Sequence, residues 1–160
     1  MSLKPISSAR VRPLEHADLP QFLLLCAEHA AFESARFTLT GSAERLERAV
    51  FCDPPRLFVW VAAQDEVLLG YASVTLDFST WNAAPFAHLD CLYLQPLARS
   101  QGIGRRLLEA VVAFARAQGC PEVQWQTPHW NEDAQRFYRR TGAAQSQKVR
   151  FVLTLETSPR

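Results

Sequence analysis

The order of periodic segments along the chain predicts a mixed α/β (α+β) domain, with a mostly antiparallel central sheet and helices on both faces. Three observations predict it. Residues 57–63, 67–77 and 87–94 are strand-like runs, and the turn Gln64-Asp65-Glu66 joins the first two as an antiparallel pair. An amphipathic stretch follows at 104–118. It carries Leu107, Leu108, Val111, Val112 and Ala115 on one face and Arg105, Arg106, Glu109 and Arg116 on the other. A further strand at 122–126 completes a strand–helix–strand crossover, which places helices on both sides of the sheet.

The remaining elements follow in order. Residues 9–12 alternate and predict a short first strand. Asp18-Leu19-Pro20 reads as a helix start, because proline is tolerated in the first turn. Leu19, Phe22, Leu23, Cys26, Ala27 and Ala30 then recur at helical spacing and carry that helix to Phe32. Ser42 is the expected cap of a second helix through 43–48, which Pro54-Pro55 ends. Residues 79–85 are expected as a loop, and Pro96 ends the strand at 87–94. Gly119 suits the left-handed position just past the 104–118 helix. A short helix at 132–140 starts from Asn131 and stops before Gly142, and 148–155 reads as a last strand. The predicted order is β-α-α-β-β-β-α-β-α-β, within one domain spanning 1–160.

Composition narrows the function classes. The 160 residues are 48% hydrophobic and 21% charged, enough for a core without metals or disulfides. A net charge of +1 gives no electrostatic reason to expect nucleic acid or an anionic membrane as partner. Met1–Pro5 lacks a leading apolar run and no stretch reaches about 20 apolar residues, so a cytoplasmic location without membrane spans is expected. Cys26, Cys52, Cys91 and Cys120 lie far apart with no Cys-x-x-Cys pair. They suggest small buried hydrophobes rather than a metal site.

The most informative segment runs from Leu92 to Leu108. A strand enters a turn with glycines at 102 and 104, and a helix leaves it. Glycines allow close backbone approach, and the amides from Gln101 to Arg105 become unpaired donors at the positive end of the helix dipole. Such a turn suits a phosphate, and a pyrophosphate best. A turn needed only for packing would look the same. A dinucleotide-binding turn would need a third glycine where Leu107 stands, and a P-loop would need Gly-Lys-Ser/Thr, which is absent.

Arg99-x-x-Gly102-x-Gly104 resembles the coenzyme A signature of the GNAT superfamily of N-acetyltransferases. Leu92-x-Leu94-x-Pro96 before it and Leu107-Leu108 after it resemble the same pattern. A second block, Asn131-x-x-Ala134-x-x-Phe137-Tyr138-x-x-x-Gly142, is similar to the family's downstream segment. The resemblance covers about residues 9–155. Residues 79–143 further resemble the diamine acetyltransferase branch, through the Trp81 loop and Trp130-Asn131-Glu132.

The resemblance implies an N-acetyltransferase that uses acetyl-CoA, and site residues for it. Backbone groups of Leu92, Tyr93 and Leu94 would pair with the acetyl-pantetheine arm, in a gap beside the 122–126 strand. An amide near Leu92 would polarise the thioester carbonyl. Gln101, Gly102, Ile103, Gly104 and Arg105 would hold the diphosphate, with Arg99 and Arg105 as charged helpers or merely solvated helix-end residues. Asn131 would contact the coenzyme, cap its helix, or do both, with Phe137 beside it. Asp90 is the candidate base, where the diamine branch has a glutamate, and His88 is the backup. Tyr138 is the candidate acid for the departing thiolate. Glu28, with Glu33 nearby, and Trp81, Trp125 and Trp130 are candidates for the acceptor pocket, or for a solvated face and packing. The acceptor would be a small-molecule or peptide amine, and a homodimer is the family's usual state. A non-catalytic acyl-CoA sensor stands as the alternative.

Overall fold

The structure, a computed structural model, describes residues 9–38 and 40–155, so Met1–Pro5 lies outside the described residues. The chain divides into two compact units, one ending at Gln126 and one beginning at Thr127.

The first unit holds β1 (Arg10–Pro13), α1 (Leu19–Phe32), α2 (Ser42–Phe51), β2 (Phe58–Gln64), β3 (Val67–Ser79), β4 (Ala84–Leu94), α3 (Ile103–Ala117) and β5 (Val123–Gln124). The strands form one sheet in chain order. The pairs β1–β2, β2–β3 and β3–β4 are antiparallel, and β4–β5 is parallel. Alternation along β2 places helices on both faces. Val59, Val61 and Ala63 join Leu68, Tyr71 and Tyr93 against Phe22 and Leu25 of α1 and Leu46 and Val50 of α2. The intervening Phe58 and Trp60 meet Phe114 of α3, with ring centroids at 4.5 and 5.0 Å. Ile103, Leu107 and Val111 of α3 are fully buried, each worth about 2 kcal/mol of apolar transfer.

Asp18 ties β1 to the start of α1. Its carboxylate accepts from both Arg12 Nη atoms, at 2.6 and 2.9 Å, and from the Glu15 amide at 2.8 Å.

Two bulges interrupt the ladders. Ala62 faces Gly70 but Ala63 faces Leu68, which leaves Leu69 as the extra residue on β3. Ser73 faces Cys91 but Val74 faces Leu89, which leaves Asp90 as the extra residue on β4.

Four expectations need correction. Ser42 is not the cap of α2: Gly41 holds that position in a left-handed conformation, and the Ser42 hydroxyl turns back to the Thr38 carbonyl. The loop expected at 79–85 shrinks to a turn at 80–83, because β3 and β4 extend as one hairpin. The strand expected at 122–126 pairs only through Val123 and Gln124.

The second unit carries α4 (Glu132–Arg140), capped by Asn131, whose side chain accepts from the Ala134 amide at 3.2 Å. The strand expected at 148–155 is not formed. No ladder supplies its hydrogen bonds, and Val149, Phe151, Val152, Leu153 and Leu155 are 75–90% exposed.

Candidate active site

The β4–α3 turn forms as its sequence requires. Gly102 caps α3 at φ 75°, and the first intrahelical bond runs from the Arg106 amide to the Gly102 carbonyl at 3.2 Å. The amides of Ile103, Gly104 and Arg105 therefore precede any intrahelical acceptor and point out of the helix start. A Cβ built on Gly102 would meet nothing within 4 Å. The backbone there faces open space at the positive helix end, which fits a diphosphate cradle.

β4 presents an open edge beside this turn. Its parallel ladder with β5 pairs Ala87 with Val123 and His88 with Gln124 and goes no further. Among the described residues, Leu92 and Leu94 thus pair only with β3, opposite Ala72 and Gly70.

Polar side chains of the turn are already engaged. Arg99 Nε donates to the Leu94 carbonyl at 3.0 Å, and its guanidinium lies over the Phe32 and Tyr93 rings. Gln101 Nε2 donates to the Leu97 carbonyl at 2.8 Å. Arg105 donates to Glu109 at 3.0 Å in an exposed pair.

Asp90 is exposed, as the bulge residue of β4, and its Oδ2 accepts from the Cys91 thiol at 3.6 Å. A bulge re-aims a side chain out of the regular alternation. His88 is half-buried, opposite Thr75. Glu28 on α1 accepts from Tyr93 Oη at 3.4 Å and from Gln95 Nε2 at 3.3 Å. The Tyr93 ring is buried, so only its backbone is left for a pantetheine arm, and burial followed by the Glu28 charge raises its hydroxyl pKa. Trp81 projects from the β3–β4 turn, 94% exposed.

Sequence reasoning missed a polar cluster behind Asp90. The buried Tyr71 hydroxyl lies 3.1 Å from His29 Nδ1, with the thiols of Cys26 and Cys91 beside it. Burial pushes Cys26 up to about 11 and Cys91 up to about 12, so these are inert thiols. Burial also holds His29 below its ordinary value, against the pull of Glu33. The signal available in the sequence was a histidine placed three residues after Cys26 on the apolar stripe of α1.

Trp125, just past β5, is half-buried, and the remaining predicted residues belong to the second unit. Phe137 and Tyr138 are half-buried neighbours on α4, with rings 5.1 Å apart, and Trp130 is half exposed. Asn131 is committed to its cap. Among the described residues no group of three or more metal-ligating side chains is assembled, and no helix is long and apolar enough to cross a membrane.

Comparison with known proteins places this geometry. A model described as the acetyltransferase (GNAT) family matches residues 24–143. The chain is 32% identical to the D-amino-acid N-acetyltransferase HPA3 of Saccharomyces cerevisiae, over 88% of each chain. It is 27% identical to the thialysine N-epsilon-acetyltransferase of Mus musculus, over 86% of this chain and 85% of that protein. Among solved structures it is similar to an aminoglycoside acetyltransferase from an uncultured soil metagenomic sample. The TM-score is 0.79 at 28% identity, covering 92% of this chain and 97% of that one.

Proposed function

The chain belongs to the GNAT acetyltransferase family and is an acetyl-CoA-dependent N-acetyltransferase, and from that premise we propose that it acetylates a primary amine of a small molecule by direct attack in a ternary complex. The family match runs through both compact units, which supports the whole chain acting as one acetyltransferase domain.

The observation that carries the reading is the left-handed Gly102, which faces open space at the start of α3, next to the unpaired edge of β4. Ile103, Gly104 and Arg105 would present their amides to the diphosphate. Leu92 to Leu94 would hold the pantetheine arm through backbone groups. When bound, the coenzyme supplies the acetyl group as a thioester.

An alkyl ammonium has a pKa of about 10.4, so at neutral pH the attacking nitrogen must first lose a proton. Asp90 accepts it, directly or through a water, and its exposure outside the ladder suits that task. His88, two residues back, is the second candidate. An amide near Leu92 holds the carbonyl oxygen as negative charge develops on it. Tyr138 returns a proton to the departing thiolate.

Glu28 receives the cationic acceptor. Trp81, exposed and amphipathic, is the aromatic candidate beside it, and Trp130 of the second unit is a further acceptor-binding candidate. The relatives named for thialysine, D-amino acids and aminoglycosides support a small amine. Four free cysteines suit a reducing cytoplasm. The exposed apolar run at 149–155 supports a homodimer, which sedimentation would test.

The test is an acceptor panel of thialysine, lysine, spermidine and sisomicin with acetyl-CoA, reading thiol release. Turnover of one amine is the expected result. Tight coenzyme binding with no thiol released on any amine would instead favour a sensor.

A further inference from the structure

His29 is a half-buried imidazole of α1 that the proposed chemistry leaves unused. Its side chain is 13% exposed. Nδ1 lies 3.1 Å from the Tyr71 hydroxyl and Nε2 lies 3.4 Å from Glu33 Oε1. One proton arrangement of the neutral ring suits these partners. The thiols of Cys26 and Cys91 face the Tyr71 oxygen, Tyr71 donates to Nδ1, and Nε2–H donates to Glu33. That arrangement requires a neutral imidazole. A proton on Nδ1 turns the Tyr71 hydroxyl hydrogen away from the imidazole and toward the thiols, which are weak acceptors.

The ring also acts as a support. It stacks on Tyr93, with centroids 5.0 Å apart and planes 20° apart, and meets Tyr71 edge-on at 6.0 Å. Tyr93 in turn holds Glu28 through its hydroxyl. A continuous line therefore runs from His29 through Tyr93 to Glu28. The charges bearing on His29 come from each neighbouring element: Glu33 just past its own helix, Asp90 on β4, and Arg99 after it.

We propose that His29 is a positioning residue for the acceptor. Neutral, it holds Tyr93, and through it Glu28, ready for a cationic amine; protonated, it sets a cation behind Tyr93 and weakens amine binding. This rests on the reading that Glu28 receives the acceptor.

The experiment compares the wild type with His29→Phe, which keeps a ring to stack on Tyr93 and cannot be charged. The probe is the fastest amine of the panel of thialysine, lysine, spermidine and sisomicin. KM for that amine and kcat are measured between about pH 5 and pH 8, the range in which histidine titrates. Changes in amine ionisation and in carboxylate protonation are common to both proteins and cancel in the ratio. The expected result is an amine KM that rises about tenfold more in the wild type than in the variant as pH falls, with parallel kcat profiles.

Linkage supplies a second measurement should the variant fail to fold. The amine must lower the proton affinity of His29 by the factor by which protonation weakens the amine. In the wild type, saturating amine should therefore move the His29 imidazole titration, followed by NMR, down by about one pH unit. A flat KM ratio, or an NMR midpoint that ignores the amine, overturns the role of His29 while wild-type turnover leaves the acetyltransferase reading standing. A wild type that acetylates no amine of the panel overturns both.

Discussion

A methyl group on Gly70 would collide with the carbonyl oxygen of Tyr93 on the neighbouring strand. Backbone rather than a flexible side chain stands in the way, and Gly70 sits in the middle strand of the sheet, opposite Ala62 and Leu94. Gly70→Ala should cost about 2 kcal/mol in urea unfolding, the scale of an overpacked core. The displaced strand is the one whose edge is assigned to the pantetheine arm. The Kd for coenzyme A, measured by calorimetry on the folded variant, should therefore rise as well.

Gly102 presents the opposite case, with open space but a left-handed backbone. Gly102→Val should lose about 1–2 kcal/mol of stability from the dihedral alone. It should also place a branched side chain in the proposed diphosphate site and raise the Kd for coenzyme A at least about tenfold. Normal coenzyme affinity in this variant would remove the turn from the binding site.

The Asp18 carboxyl is held below its ordinary value of 3.8 by the Arg12 hydrogen bonds, with the Glu15 amide adding to them. A depressed folded-state value means that the unfolded chain binds the proton more tightly. The bond's contribution is thus full above 3.8 and is lost as pH falls below 3.8 toward the lowered folded value. Asp18→Asn should cost about 2 kcal/mol at neutral pH and flatten the acid limb of stability. Urea titrations of both proteins between neutral pH and about pH 3 read this directly.

Tyr138→Phe keeps the ring beside Phe137 and removes only the hydroxyl. If that hydroxyl protonates the thiolate, kcat should fall about a hundredfold with coenzyme Kd almost unmoved. An unaltered kcat takes Tyr138 out of the mechanism.

Much of this molecule is legible in residue order. Local signals mark the ends of elements: Pro20 opens α1, the glycines at 102 and 119 bracket α3, and Asn131 caps α4. The alternation of Phe58 to Ala63 assigns each side chain to its face. What resists reading depends on partners distant in sequence. Asp90 and His88 look like same-face neighbours until the register against Ser73 and Val74 shows that Asp90 is supernumerary. His29 looks like a misplaced polar residue until Tyr71, on another element, supplies its partner. The run at 148–155 has the composition of a strand, but a strand needs a neighbour, and composition cannot provide one.

The bulge at position 90 separates what this enzyme can vary from what it cannot. The ladder on either side is pinned, Cys91 to Ser73 and Leu89 to Val74, so the scaffold does not register the identity of the residue between them. A library randomised at that codon should stay folded across most of its members while their turnover spreads widely. Selection for a new acceptor can thus sample side chains of different length there without first repairing the sheet.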